Sequence, residues 1–428
     1  MTYFVALWRG CVAETPVVGP LDGRRQRVRV AVLRGVLAGV AAAVAVAGAS
    51  AADLREGFAA AAALSAPLRT LEAERAVLLA RRERAASLLP GGASVTLGYR
   101  TNQVLRDHGL REYEGEVGVP LWLPGEARAL RGAAEAQLAA LETSIARERL
   151  AVAGEVRADW WAWRDAAAVR DAARTRLTQA RALERDLARR VAGGLTPEAD
   201  RLAATAAVRE AEAALRAAEL ALRQAAVTFR SLTGREPSDG APEAEAAPPR
   251  DGADPRAVAA RATVEAGRAA ERLVQVRDRL NPEMALQLRH ERDAFGEPWG
   301  TRLAVLFTIP LGSPPLQRER MAAAQAITTA GSAAAIVADR SVEGGVARAR
   351  EAQDAAASVL RSTEARHAAL AGQTALYEAA WRGGELPLIE VIRARAALAE
   401  ADAARLRAGV AVGRAASDLN QAFGVEPR

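Results

Sequence analysis

Gly193-Gly194-Leu195-Thr196-Pro197 returns 190 residues later as Gly383-Gly384-Glu385-Leu386-Pro387. Paired glycines free the backbone and a proline soon after opens a new element, so each stretch reads as a tight turn between two helices. The offset carries outward in both directions. Pro120-Leu121 returns as Pro310-Leu311, Pro124 as Pro314, Arg128 as Arg318 and Ala133-Ala134 as Ala323-Ala324. Further on, Glu210 matches Glu400, Gly234 matches Gly424 and Glu236-Pro237 matches Glu426-Pro427. Many of these matches fall on the Gly and Pro residues that fix turns and element ends, so the chain reads as a tandem duplication at a constant offset without a gap.

The turns join long helices. Residues 125–192 contain no proline, and a helix of that length spans about 100 Å at 1.5 Å per residue. A return helix is expected from Glu198 to Leu232. The second copy repeats the pair over Leu316–Arg382 and Leu388–Phe423. Helices this long and alanine-rich do not fold as a compact globule; they pack side by side as hairpins. Ahead of the first pair, residues 53–89 read as helix, with Leu54, Phe58, Leu64, Leu68, Leu71, Leu78 and Leu79 as an apolar stripe that Pro67 kinks or splits. A further helix is expected over Arg256–Leu280.

Between these helices the hydrophobic period changes to two. Val95, Leu97 and Tyr99 alternate with Thr96, Gly98 and Arg100; Tyr113, Gly115, Val117 and Val119 alternate with Glu114, Glu116 and Gly118. The second copy has Met284, Leu286 and Leu288 against Gln287 and Arg289, then Leu303, Val305, Phe307 and Ile309 against Arg302, Ala304, Leu306 and Thr308. Loops holding Asp107-His108-Gly109 and Glu291–Pro298 connect each pair. Strands of about ten residues with one apolar face suit a transmembrane β-barrel. They also suit a soluble hairpin packed on helices. Four strands cannot close a spanning barrel, because the smallest single-chain barrels have about eight, so several chains would have to share one.

Composition narrows the function. The chain has 428 residues, 58 basic residues that are all arginine, and only 4% aromatics, which favours long helices over globular cores. Its formal charge of +6 is concentrated in residues 1–51, and the remainder is near balance, so a nucleic-acid surface is not supported. Arg24–Arg34, the apolar Gly35–Gly48 and the small-residue Ala49-Ser50-Ala51 read as an export signal over residues 1–51, with a membrane anchor as the alternative. The single cysteine, Cys11, lies upstream of the apolar run, so no disulfide is expected in the mature chain. No later segment reads as a transmembrane helix. The domain reading is a first repeat over residues 52–234, a Pro/Ala/Glu-rich surface linker over 235–255 and a second repeat over 256–428. Only His108, His290 and His367 are present, and no nucleophile elbow, phosphate loop or metal-ligand spacing accompanies them. No enzyme, metal or cofactor is expected. Trp160, Trp161 and Trp163 are read as a packing patch.

The two tips, Arg190-Val191-Ala192-Gly193-Gly194-Leu195-Thr196-Pro197 and Trp381-Arg382-Gly383-Gly384-Glu385-Leu386-Pro387-Leu388-Ile389-Glu390-Val391, resemble those of the TolC-like outer-membrane efflux proteins. So do the helix endings Leu232-Thr233-Gly234 and Ala422-Phe423-Gly424, and the junctions Val119-Pro120-Leu121 and Ile309-Pro310-Leu311. The likeness covers about residues 53–427. It implies a mainly α fold with a small transmembrane β part: long helical hairpins forming a trimeric α-barrel, with four strands per chain in a shared twelve-stranded β-barrel. It further implies an outer-membrane location with a periplasmic helical extension. The implied role is passive conduction of solutes delivered by an inner-membrane pump through a periplasmic adaptor, with heavy metals or small molecules as the cargo. By the same resemblance, Gly193, Gly194, Gly383 and Gly384 would meet the adaptor. Glu390 would line a periplasmic constriction, with Arg393 beside it on the helix face and Asp200 in the other tip. The rival reading is a soluble periplasmic coiled-coil scaffold or adaptor.

Overall fold

The computed structural model describes residues 51–104, 106–194, 196–247 and 254–427. The export-signal reading lies outside these residues, except at Ala51. Two short strands, β1 (Ala51–Ala52) and β4 (Glu236–Pro237), pair in parallel. The remaining strands form one sheet: β2 (Ser94–Thr101), β3 (Arg111–Pro120), β5 (Glu283–Arg292) and β6 (Gly300–Thr308). Seven helices complete the described chain: α1 (Leu54–Leu64), α2 (Ala66–Arg84), α3 (Glu126–Ala192), α4 (Glu198–Thr233), α5 (Pro255–Val276), α6 (Pro314–Arg382) and α7 (Leu388–Ala422).

The first helical stretch splits at Ser65, whose hydroxyl accepts from Leu68 N at 3.4 Å and caps α2; Pro67 sits in the first turn of α2, where its missing N–H costs nothing. Leu54, Phe58 and Leu68 are buried, whereas Leu64 and Leu79 are exposed. The expected stripe therefore does not run unbroken, because the split resets the helical phase.

The hairpins α3–α4 and α6–α7 obey the repeat: α3 ends at Ala192 and α6 at Arg382, α4 starts at Glu198 and α7 at Leu388, both 190 apart. The strands correct it in one place. Val95 pairs with Val117, and Met284 pairs with Phe307. Phe307 lies 190 residues after Val117, but Met284 lies 189 after Val95. Side chains alternate with period two, so a one-residue slip turns every side chain to the other face. The slip keeps the apolar residues of β5 on the same face as those of β2. A gapless offset would have put Ala285, Gln287 and Arg289 there.

Trp160 and Trp161 anchor the core at mid-height. Their rings meet edge to face at 4.8 Å, among Phe58, Val156 and Phe229, and Trp160 Nε1 donates to Ser238 O at 3.2 Å. Trp163 is half-buried. The segment expected as a surface linker is tied down here by arginines on one face of α3. Arg157, 1% exposed, donates to both oxygens of Glu243 at 2.8 and 2.9 Å, to Val425 O at 2.9 Å and to Gln421. Ser417 Oγ donates to the same Glu243 carboxylate at 2.7 Å. Arg149 binds Glu426 through two bonds of 2.8 and 2.7 Å, and Arg164 pairs with Asp239. The described part of the linker and the end of the chain are thus fastened to α3, and Ser417 and Asn420 of α7 hold the linker as well.

At the strand–helix junction, α5 ends at Val276, four residues before the expected Leu280. Residues 277–281 instead wrap a carboxylate. Glu126, 1% exposed, accepts from Arg277 Nε at 2.7 Å, Asn281 Nδ2 at 2.6 Å and Leu123 N at 3.2 Å. This ties the start of α3 in the first repeat to the approach of β5 in the second.

α6 differs from its twin α3. Only Ala335 and Thr374 are buried along its 69 residues. Residues 321–338 hold no charged side chain, and α6 contains an 18-residue window with mean hydropathy 1.4, apolar enough by length and composition to cross a membrane. The sequence reading expected no such segment. The value comes from nine alanines with Ile327, Ile336 and Val337 in a helix that packs on α5 and α7, so it reads as an uncovered packing face.

Candidate functional site

The sheet order is β2-β3-β5-β6, each neighbour antiparallel. The register sorts the side chains. On one face, Val95, Val117, Leu286 and Val305 form one row across the four strands, Leu97, Gly115, Leu288 and Leu303 the next. These large apolar residues are exposed, Leu97 at 82% and Leu303 at 68%. No helix among the described residues covers them, as one would in a hairpin packed on helices. Toward the loops this face ends in aromatic rings: Tyr99 on Tyr113 at 5.0 Å, and His290 stacked on Trp299 at 4.6 Å. His290 Nδ1 lies 2.9 Å from Thr301 Oγ1, and His108 lends only its carbonyl, to Phe295 N at 3.0 Å.

The opposite face is charged. Glu112, nearly buried, sits 2.9 Å from Arg100 and 3.0 Å from Arg289; Glu291 pairs with Arg302 at 2.7 Å; Glu114 meets Gln287 and, at 3.8 Å, Arg289. One face fits lipid and the other water. The outer strands β2 and β6 keep unpaired edges.

The far end of the helices holds the two tips. Gly194 and Gly384 adopt φ of +71° and +78°, the left-handed conformation that ends a helix at little cost only for glycine. Gly193 and Gly383 are ordinary C-caps with φ of −85° and −80°. Replacing Gly194 or Gly384 by Ala meets open space, so the cost is purely conformational, about 1 kcal/mol each. A lowered thermal midpoint of the detergent-solubilised protein checks this.

The tips touch through Leu183 and Leu187 of α3, Ala204 of α4, and Leu388 and Val391 of α7, with Arg190 stacked 4.5 Å over the Trp381 ring. Asp200 and Glu390 are each the third residue of a return helix, where the helix dipole favours an acid, and they lie 190 apart. Glu390 accepts from Arg393 at 2.8 Å; Asp200 has no side-chain partner among the described residues. Sequence reasoning named Asp200, Glu390 and Arg393 and set Arg393 beside Glu390, but did not name the other ion pairs of the tips. Asp186 bonds Arg189 and Arg190, Glu198 bonds Arg201, and Glu378 bonds Arg382 and Arg395.

Burial pushes the Asp186 carboxyl up, but the Arg189 and Arg190 hydrogen bonds outweigh it and hold it below its ordinary value. Arg201 lowers Glu198, and Arg181 with Arg209 lowers Glu212. Acids with depressed folded pKa stabilise above their unfolded values and lose that contribution as pH falls through the folded ones. Amide-exchange protection over residues 181–201, corrected for intrinsic rates, should stay level from about pH 7 to 5 and fall only below about 4.

Three comparisons bear on this arrangement. No family model matches the chain, and no curated protein sequence does. Among solved structures, a membrane protein from Pseudomonas aeruginosa aligns with TM-score 0.71 at 18% identity, over 88% of this chain and 91% of that one. The outer membrane protein VceC of Vibrio cholerae aligns at 0.70 and 16%, over 87% and 96%. The CmeC outer membrane channel of Campylobacter jejuni aligns at 0.68 and 14%, over 87% and 85%. The chain has the fold of the TolC-like outer-membrane channels. Within that channel fold, the two-faced sheet is the strand part and the hairpins are the helical part.

Proposed function

We propose that three copies of the chain form an outer-membrane exit duct of a tripartite efflux system, a passive conduit for solutes such as metal ions or small molecules. The observation that carries this reading is the sheet: one face apolar and uncovered, the other charged, with both edges open. Strands alternate in direction from β2 to β6, so β6 of one copy meets β2 of the next antiparallel, and three copies give twelve strands with no edge left. The helices support the same closure. α3 packs against α4, α5 and α7, and α6 against α5 and α7, which leaves outward faces on α4 and α6. Exposed Leu202, Leu220 and Val227 on α4 and Ile327, Ile336 and Val359 on α6 supply apolar surface for contact between copies.

In this assembly the strands lie in the outer membrane and the helices, about 100 Å long, extend into the periplasm. The tips meet a periplasmic adaptor at Gly193, Gly194, Gly383 and Gly384, with an inner-membrane pump beyond it. Asp200 and Glu390 line the constriction there, with Arg393 compensating Glu390. Chain mass in nanodiscs and conductance in planar bilayers test the reading. A trimeric species giving discrete conductance steps is expected; a folded monomer that gives none would refute it in favour of a soluble scaffold.

A further inference from the structure

Resting on that reading of the chain as a duct, we propose that Glu116 and Glu283 on the charged face of the sheet, rather than Glu390 of the tips, give the pore a preference for cations.

Charge compensation is uneven along the charged face. Its loop-side half is balanced: Arg100, Arg289 and Arg302 each lie within 3.0 Å of a glutamate, Glu112 or Glu291. The helix-side half has no arginine on this face. Glu116, in a row with Thr96, Gln287 and Ala304, has no hydrogen-bond or ion-pair partner among the described residues. Glu283, beside Pro120 and Thr308, has only the Ser94 hydroxyl, at 3.1 Å, as a side-chain partner among the described residues. The nearest arginines before β5 are committed elsewhere, Arg277 to Glu126 at 2.7 Å and Arg279 to Asp278 at 3.7 Å.

The position of the Glu283 carboxylate is built into the sheet. It lies across Gly118, where a Cβ would fall 2.0 Å from its Oε1. Any other residue at 118 would push the carboxylate off the sheet. The absence of a side chain on β3 is what lets an acid from β5 reach Ser94 on β2.

Three-fold closure turns the two positions into two rings of three carboxylates each, at separate heights in a pore walled by low-dielectric barrel and lipid. Uncompensated charge in such a pore concentrates counter-ions and excludes co-ions. In the second tip, by contrast, Arg393 sits 2.8 Å from Glu390, so that pair adds little net field, and Asp200 is the acid of the constriction left without a side-chain partner among the described residues. The cargo this favours is cationic, whether inorganic or organic.

The test is the reversal potential of the full-length protein in planar bilayers under a potassium chloride gradient. Wild type should pass cations over anions. Glu116→Gln with Glu283→Gln should bring the permeability ratio towards one, whereas Glu390→Gln with Arg393→Gln, which removes the tip pair at constant net charge, should leave it nearly unchanged. As a second route, Glu283→Cys should lower the ratio, and a negatively charged thiol reagent added after insertion should restore it, with reagent-treated wild type as control. Pores that keep their preference in the Glu116 and Glu283 double variant, or lose it in the Glu390 and Arg393 double variant, would overturn the proposal while leaving the duct intact. A non-selective or anion-preferring wild-type pore would overturn it as well. No pores at all from folded wild type would overturn the duct reading itself.

Discussion

Leu288→Arg should abolish assembly of the folded, membrane-inserted protein, while Gln287→Arg, one residue away, should be tolerated. Leu288 lies in the middle of β5, between Gly115 and Leu303 on the apolar face, and is 51% exposed in the single chain. An arginine facing lipid near the bilayer midplane costs roughly 2–4 kcal/mol, and in the proposed trimer that cost falls three times on one barrel. Gln287 projects into the opposite, hydrated face beside Glu114, where a new cation gains an acidic neighbour. The readout is the yield of oligomer that resists unheated denaturing gels, together with fractionation to the outer membrane. If Gln287→Arg were the damaging change, the assignment of the two faces would be reversed.

Arg157→Ala should rank with the most destabilising truncations in the helical part. It removes a guanidinium that is 1% exposed and leaves Glu243, 8% exposed, as an uncompensated buried carboxylate. Breaking one side of such a pair costs about 3–5 kcal/mol. The loss should extend to the linker and the chain end, because Val425 O and Gln421 lose their donor in the same step. Replacing the pair together, Arg157→Met with Glu243→Leu, should recover much of the stability, since apolar groups of similar volume carry no desolvation penalty. Denaturant unfolding followed by helical circular dichroism measures both. A fall under about 1 kcal/mol for the alanine variant would mean that water reaches Glu243.

Much of this architecture was legible from local chemistry. Gly194 and Gly384 mark turns because a positive φ is a property of one residue, and Val95 to Tyr99 marks a strand because period two needs only its own neighbours. Arg393 beside Glu390 was legible for the same reason, being one helical turn away. What the sequence hid lies in pairings between distant segments. Arg277 and Asn281 reach Glu126 across 151 and 155 residues, and nothing local in Arg-Asp-Arg-Leu-Asn announces an acid waiting elsewhere. The linker looked like loose surface because its acids, Asp239 and Glu243, were counted without their partners. The spacing of Arg149, Arg157 and Arg164 along one face of α3 was the available signal. The slip in β5 was hidden by the strength of the repeat: Pro and Gly hold the 190 offset at the element ends, and a single-residue shift between them leaves little trace in composition.

The duplication also has a bearing on symmetry. In the proposed trimer, two similar units per chain give a ring that is six-fold in outline but only three-fold in chemistry. A protein built from six identical half-length subunits would have to carry every substitution at all six positions. Here Asp200 and Glu390 occupy equivalent places, yet Arg393 answers to Ala203, so a charge can be balanced at alternate positions around the ring and left bare at the others. Fusion of two copies into one chain thus frees half the positions to drift while the other half preserve the shape.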